Sequence, residues 1–342
     1  MKRRAIIRPA HAMRRRELLG SLGSLAAAGL LGTRSGWAQA PGRVYRLGTF
    51  HPVAPMTETT AFGKIIVKVL AQHGYILGQN LTWDARSSTG DNAKIPALMQ
   101  DLKAANVDAI ILIGYPAAAA AKSIGVPAVG AVGLGDPVAT HLIQSEAHPG
   151  GNITGISDVA ATLTTKRLSL LKQLAPNLRK VAMIWNKDDL GMTMRYQASA
   201  DAAGSIGLEV QAVGVREPDD FKEAFDLMDR EKPDGILMVA DALTNLNRKR
   251  VFEFAASRKL PAIYEYDFVV QDGGLMSYGP DMTESFERAT ALVAQVFAGV
   301  KPADLPFEQP TMYPFAVNLK TAKSSGIEIP PTLLALADEV IE

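Results

Sequence analysis

"VDAIILIG", residues 107–114, is an unbroken apolar run that ends in Gly, and "PDGILMVAD", residues 233–241, repeats it in the second half of the chain. A short run without polar alternation is what a strand buried on both faces requires, because helices cover both sides of a parallel sheet. A second matched pair follows each of them: "VPAVGAV" (126–132) and "LPAIYEY" (260–266). Working outward, the first half reads as strand 44–50, helix 58–74, strand 80–86, helix 91–106, strand 107–114, a short helix from Pro116 and strand 127–132. The second half reads as strand 180–186, helix 191–207, strand 208–215, helix 218–231, strand 233–241, helix 242–259 and strand 261–266. Strands alternating with helical patterns are the signature of βαβ units. The expected fold is therefore α/β, with two Rossmann-like lobes whose parallel sheets are joined by a hinge of several crossovers.

Between the halves lies "AVGLGDPVATHLIQSEAHPGGNITGIS" (131–157), dense in Gly and Pro. Gly supplies the backbone angles that a crossover needs. Beyond the second half, "GGLMSYGPD" (273–281) precedes a helix over 282–298, too late in the chain for the second lobe's count. It is expected to cross back onto the first lobe. A Pro-rich connection (301–310) leads to closing helices over 318–326 and 330–341. The expected organisation is thus a signal segment at 1–38, lobe 1 at 44–155, lobe 2 at 156–272 and a C-terminal crossover segment at 273–342.

The formal charge of +1 hides an asymmetry, since the first 38 residues carry eight Lys/Arg and one Glu. Without them the body holds 28 basic and 34 acidic side chains, which argues against a nucleic-acid partner. The head itself, "MRRRELLGSLGSLAAAGLLGTRSGWAQA" (13–40), has the basic, apolar and small-residue parts of a secretory signal. Arg15-Arg16 also fits twin-arginine export, Ala38-Gln39-Ala40 fits the cleavage pattern, and either Met1 or Met13 serves as the start. The chain has no Cys, which excludes disulfides, a thiol nucleophile and a lipidated Cys. A soluble periplasmic protein without a lipid anchor is the expected product.

In open α/β sheets ligands sit outside the carboxyl ends of the strands. That rule selects Phe50 and His51 after the first strand, then Tyr115, Pro116 and Ala117, then Asp136 beside Gly135. From the second half it selects Trp185 and Asn186, Thr193, Asp241, and Tyr264 and Glu265. The aromatic members could stack on a flat ligand. Tyr264 and Tyr266 alternate, so one of them is expected to face the cleft. Asp241 reads either as a helix N-cap or as the partner of a ligand ammonium. The helix starts near Ala117 and Thr193 offer N–H groups to a carboxylate. Nothing supports a catalytic or cofactor site: the turn after the first strand, "GTFHPVAP", lacks the glycines that admit a pyrophosphate, and there is neither a P-loop nor a nucleophile elbow. The five His show no metal-ligand spacing. No cofactor and no metal are expected.

"DPVATHLIQSEAHPGGNITGIS", "GGLMSYGPD", "KPADLP…EQP" and "NLKTAKSSGIEIPPTLLALADEVIE" together resemble the substrate-binding proteins of ABC importers, in the group of tryptophan/tyrosine type. The resemblance covers nearly all of 44–342. It implies a type I periplasmic binding fold, no catalysis, a monomer, and delivery of a small ligand to an ABC permease in the inner membrane. An aromatic or amphipathic amino acid or a related carboxylic acid is the implied ligand. "NKDDLGMT" (186–193) departs from the Asn-Pro…Asn-Ser pattern of the family, which bears on the ligand's identity. The alternatives are a secreted α/β enzyme using acid–base chemistry in the same cleft, and a ligand-sensing co-receptor.

Overall fold

A computed structural model of the chain describes residues 42–342; the signal segment expected at 1–38 lies outside the described residues. The first lobe is a five-stranded parallel sheet in the order β2-β1-β3-β4-β5. Its strands are β1 (Tyr45–His51), β2 (Leu81–Ser87), β3 (Ala109–Ile113), β4 (Ala128–Val132) and β5 (Ile153–Gly155). Helices α1 (Ala61–Gln72), α2 (Ile95–Ala104) and α3 (Tyr115–Ile124) connect the first four of them. Alternate residues of one strand serve the two faces: Ile111 packs with Ile66 and Leu70 of α1, and Ile110 and Leu112 pack with Met99 and Leu102 of α2.

The second lobe opens with α4 (Ala160–Leu174), β6 (Lys180–Asn186), α5 (Leu190–Ser205), β7 (Glu209–Val215), α6 (Asp220–Glu231) and β8 (Gly235–Met238). It continues with α7 (Ala242–Leu246), α8 (Arg248–Arg258), β9 (Ala262–Tyr264), α9 (Asp267–Gln271) and β10 (Met276–Tyr278). Its strands run β7-β6-β8-β9-β10, which repeats the first lobe's order strand for strand. The sequence pairs noted above fall on equivalent strands: "VDAIILIG" and "PDGILMVAD" on β3 and β8, "VPAVGAV" and "LPAIYEY" on β4 and β9.

The chain then leaves the second lobe. Helix α10 (Met282–Phe297) packs on α1, β3 and β4 of the first. Its apolar stripe Phe286, Ala289, Val293 and Val296 repeats at helical spacing and enters the core around Leu47 and Val129. Phe286 stacks on Phe62 of α1 at 4.2 Å between centroids. The chain returns past β5, where Ser157 N–H donates to Glu308 O (2.7 Å) and Glu308 N–H donates to Gly155 O (2.9 Å). Back in the second lobe it forms β11 (Phe315–Asn318), α11 (Leu319–Ser325), α12 (Pro331–Leu334) and β12 (Glu339–Ile341).

Four readings of the sequence are corrected. The second sheet has seven strands and is not wholly parallel, because β11 pairs antiparallel with β10. Residues 330–341 are not one helix: only Pro331–Leu334 is helical, and Glu339–Ile341 extends the sheet beside β11. Asp338 fixes that edge by accepting from Phe315 N–H at 2.8 Å, a tertiary contact that outweighs the helical propensity of the Leu/Ala run. Helix 242–259 is broken at Asn247, whose side-chain amide donates to Leu243 O at 2.9 Å. Helix α4, unassigned above, fills the face behind β9 and β10.

Because Phe286 is fully buried on a helix that reaches the first lobe from the far end of the chain, Phe286→Ala should cost about 3–5 kcal/mol in urea denaturation.

Candidate functional site

The order 2-1-3-4-5 places a switch point between the first and third strands of each lobe, where neighbouring connections leave on opposite faces and a crevice opens. A cavity of about 600 Å³ occupies this position between the lobes. The first lobe supplies Phe50, His51, Pro52 and Val53 after β1, Ile113 to Ala117 after β3, and Val132 and Gly133 after β4, with Phe62, Asn92 and Ile95 from flanking helical turns; Tyr115 alone in that stretch does not line it. The second lobe supplies Asp189 after β6, Ala240 to Ala242 after β8, and Tyr266, Asp267, Phe268 and Gln271 around α9. Asn245, Leu246 and Arg248 of α7 and α8, and Asp281 to Thr283 at the start of α10, complete it.

His51 Nδ1 accepts from the N–H groups of Val53 (3.0 Å) and Ala54 (3.3 Å), which leaves Nε2 to carry the proton of a neutral ring. Burial pulls its pKa down to about 4. On the opposite wall Asp241 caps α7: its Oδ1 accepts from Thr244 N–H and Oγ1, both at 2.8 Å, and Thr244 Oγ1 accepts in turn from Asp241 N–H. Asn186 donates to Asp241 Oδ2 at 2.7 Å from behind the cavity. Asp189 caps α5, accepting from Met192 N–H at 3.2 Å. Burial, and then the negative charge of Asp241, push Asp189 up to about 7. Burial also raises Asp241.

Of the residues selected from the sequence, Phe50, His51, Pro116, Ala117 and Asp241 line the cavity, and seven do not. Trp185 turns to the core side of its sheet, stacked on Tyr196 at 3.6 Å, with its indole N–H on Thr193 Oγ1 at 3.3 Å. Thr193 is therefore engaged, and α5 begins at Leu190, one residue before the expected start. Its first donors are taken up by Asp189, so they are not open to a ligand carboxylate. Tyr264 is buried edge-on against Phe252; β9 ends there, the alternation stops, and Tyr266 reaches the cavity instead. Tyr115 lies against Gly191 of the other lobe. Asn186 sits behind the wall.

Glu265 is spent inside the protein: it accepts from Arg167 Nη1 (3.1 Å), Arg195 Nη2 (2.6 Å) and Ala240 N–H (3.1 Å). Arg195 also faces Asp158 at 3.9 Å, and Asp158 takes the N–H groups of Gly133 (3.0 Å) and Gly135 (2.6 Å). Asp136 makes a turn, accepting from Val138 and Ala139 N–H, and opens on a second cavity of about 420 Å³ at the hinge.

Sequence reasoning missed Asp189, Phe62, Arg248 and Phe268, whereas Tyr266 is the one of the Tyr264/Tyr266 pair that reaches the cavity. A signal existed for Asp189, because Asp before the apolar start of a helix is a cap pattern at a strand's carboxyl end. The others come from helix surfaces that only the packed lobes bring to the cleft. Among the described residues no group of three or more His, Asp or Glu could hold a metal ion, and no helix is long and apolar enough to cross a membrane.

The lobes meet through glycine. A Cβ on Gly135 would lie 2.7 Å from Gly191 O, and one on Gly191 would lie 2.6 Å from Tyr115 Cβ. Only side chains of zero size allow this approach.

The profile of the ABC transporter substrate binding protein family matches residues 59–341. A tyrosine-binding protein of Clostridioides difficile is 26% identical over 267 residues, covering 78% of this chain and 76% of its own. Among solved structures, a conserved domain protein from Vibrio cholerae superposes with a TM-score of 0.80 at 23% identity, over 87% of this chain and all of that one. An ABC domain from Streptococcus pneumoniae in complex with L-Trp superposes with a TM-score of 0.77 at 25% identity, with the same coverage.

For His51 the sign of the pH effect follows from a folded pKa below the unfolded 6.5: its contribution to stability is present above pH 6.5 and is lost as pH falls towards 4. An NMR titration of the imidazole should show His51 still neutral at pH 5, with a midpoint near 4.

Proposed function

This chain belongs to the ABC transporter substrate binding protein family, and we propose that it captures an aromatic or amphipathic amino acid between its lobes and delivers it to an ABC permease in the inner membrane. The observation that carries this reading is the composition of the interlobe cavity. The rings of Phe50, Phe62, Tyr266 and Phe268 and the aliphatic walls of Ile95 and Ile113 surround a few polar groups from both lobes. This is the make-up of a pocket for a small organic molecule, with apolar bulk for affinity and sparse polar groups for orientation. The Tyr and Trp ligands in the names of its relatives agree with it.

Delivery requires a protein with two states. The closed form gains whatever free energy the ligand contributes through touching both lobes at once. The glycine contact between Gly135 and Gly191 belongs to that closed form. Export fits the same reading: the signal segment at 1–38 directs the chain to the periplasm, where it works as a soluble monomer. The family consists of binding proteins, and no step of chemistry is assigned to the cleft.

A thermal-shift screen of the refolded mature chain against amino acids, aromatic acids, dicarboxylates, nucleosides and sugars tests this. Aromatic amino acids should give a saturable shift, worth about 2.7 kcal/mol at a hundred times the dissociation constant, and no product should form. A response confined to sugars or nucleosides would overturn the reading. Gly191→Ala should leave the unliganded melting temperature within about 2 °C of the parent while weakening the ligand at least tenfold by calorimetry, because the added carbon keeps the lobes apart.

A further inference from the structure

The interlobe cavity is lopsided in charge. Asp189, Asp241, Asp267 and Asp281 line it against one guanidinium, Arg248, whose Nε already lies 2.7 Å from Asp272. His51 is held neutral. All four accept at a helix start: Asp267 takes Phe268 N–H at 2.7 Å and Asp281 takes Glu284 N–H at 2.7 Å, just as Asp189 and Asp241 cap α5 and α7. What sets Asp189 and Asp241 apart is that they are neighbours. They stand on one wall, at the carboxyl ends of the adjacent strands β6 and β8, with Asn186 bonded behind.

The charge on this pair is not balanced by the protein. Asp189 is 3% exposed, and among the described residues neither it nor Asp241 has an ion-pair partner within 4 Å. Arg195, whose field reaches Asp189, is committed to Glu265 at 2.6 Å and to Asp158 at 3.9 Å. A buried carboxylate beside a half-buried one, with no cation between them, is costly, and the elevated pKa of Asp189 reports that cost. Helix capping does not explain the choice of Asp, since Asn and Ser cap about as well without charge.

We propose that Asp189 and Asp241 form the seat of the ligand's ammonium group, so that the cavity selects aromatic amines and amino acids and rejects aromatic carboxylic acids that lack an amine. This rests on the aromatic-ligand reading above and narrows it. An ammonium between the two carboxylates supplies the missing counter-charge through charge-assisted hydrogen bonds, while the ring lies among Phe62, Tyr266 and Phe268. A ligand carrying only a carboxylate brings a like charge into a cavity of acids, a repulsive element that discriminates without any new contact.

Calorimetry of the mature protein with L-tryptophan, tryptamine and indole-3-propionate isolates each charge on one ring system. Tryptamine should bind within about tenfold of tryptophan, and indole-3-propionate at least a hundredfold more weakly. Asp189→Asn keeps a capping oxygen for Met192 while removing the charge. It should weaken tryptophan and tryptamine at least tenfold and leave indole-3-propionate unchanged or tighter; the unliganded melting curve of this variant verifies its fold. Indole-3-propionate binding within tenfold of tryptophan overturns the ammonium seat but leaves the aromatic reading standing. Equal losses for all three ligands in Asp189→Asn also overturn it, because a structural role would not distinguish them. If none of the three binds, and tyrosine and tyramine fail as well, the aromatic reading is wrong and the seat falls with it.

Discussion

The carboxylate of Asp158 holds together what the rest of the molecule needs to keep apart. It lies where the chain first leaves the amino-terminal sheet, fully enclosed, and takes the N–H groups of Gly133 and Gly135 from the loop after β4. Through Arg195 it is tied to Glu265, and Glu265 in turn holds Arg167 and the N–H of Ala240 after β8. Gly133 and Ala240 both line the interlobe cavity, one from each lobe. One charged chain thus positions the two walls of the site relative to the hinge. Networks of this kind are costly to bury and gain their value from completeness: with every member present the arrangement is specified, and with one missing an unpaired charge remains inside.

The same economy governs the cavity. Many of the residues that line the cavity come from the loops after β1, β3, β4, β6 and β8, which the repeated strand order brings to facing crevices. The sheets supply rigidity and the loops supply chemistry. Aromatic rings line the space, while the polar groups on its rim are mostly occupied as caps and turns. Asp241 illustrates how one residue satisfies both demands. Its carboxylate completes the capping box of α7, and the same side chain faces the cavity.

Much of this was legible in the sequence. The apolar runs that became β3 and β8 could be recognised because a strand covered on both faces leaves no polar alternation, and their repetition revealed the two lobes. Phe50, His51, Pro116, Ala117 and Asp241 followed from the rule that ligands sit at strand carboxyl ends. Trp185 met the same rule and still turned into the core, because its neighbour on α5, Tyr196, offered a parallel ring at 3.6 Å. Local position fixes where a strand ends but not to which side its last residue turns. Phe62, Arg248 and Phe268 were illegible for a different reason: they reach the cleft only after helices from distant segments pack. The edge strands β11 and β12 were missed because three- and four-residue strands carry too little periodicity to be told from a helical run.

The placement of α10 has a consequence for how the protein is made. Its Phe286, Leu292 and Val293 belong to the core around Leu47 and Val129, so that face of the amino-terminal lobe is covered by α1 alone until residue 297 has left the ribosome. Domains of a nascent chain ordinarily fold in order of synthesis. Here the second lobe, synthesised later, has its first five strands before the first lobe has its last helix. The first lobe therefore waits with one apolar face only partly covered, a condition exposed to misassembly, and it closes in the same interval as its partner. The crossing that prevents the finished lobes from separating also makes their folding a joint event, and premature termination anywhere before residue 297 leaves neither hinge nor first core complete.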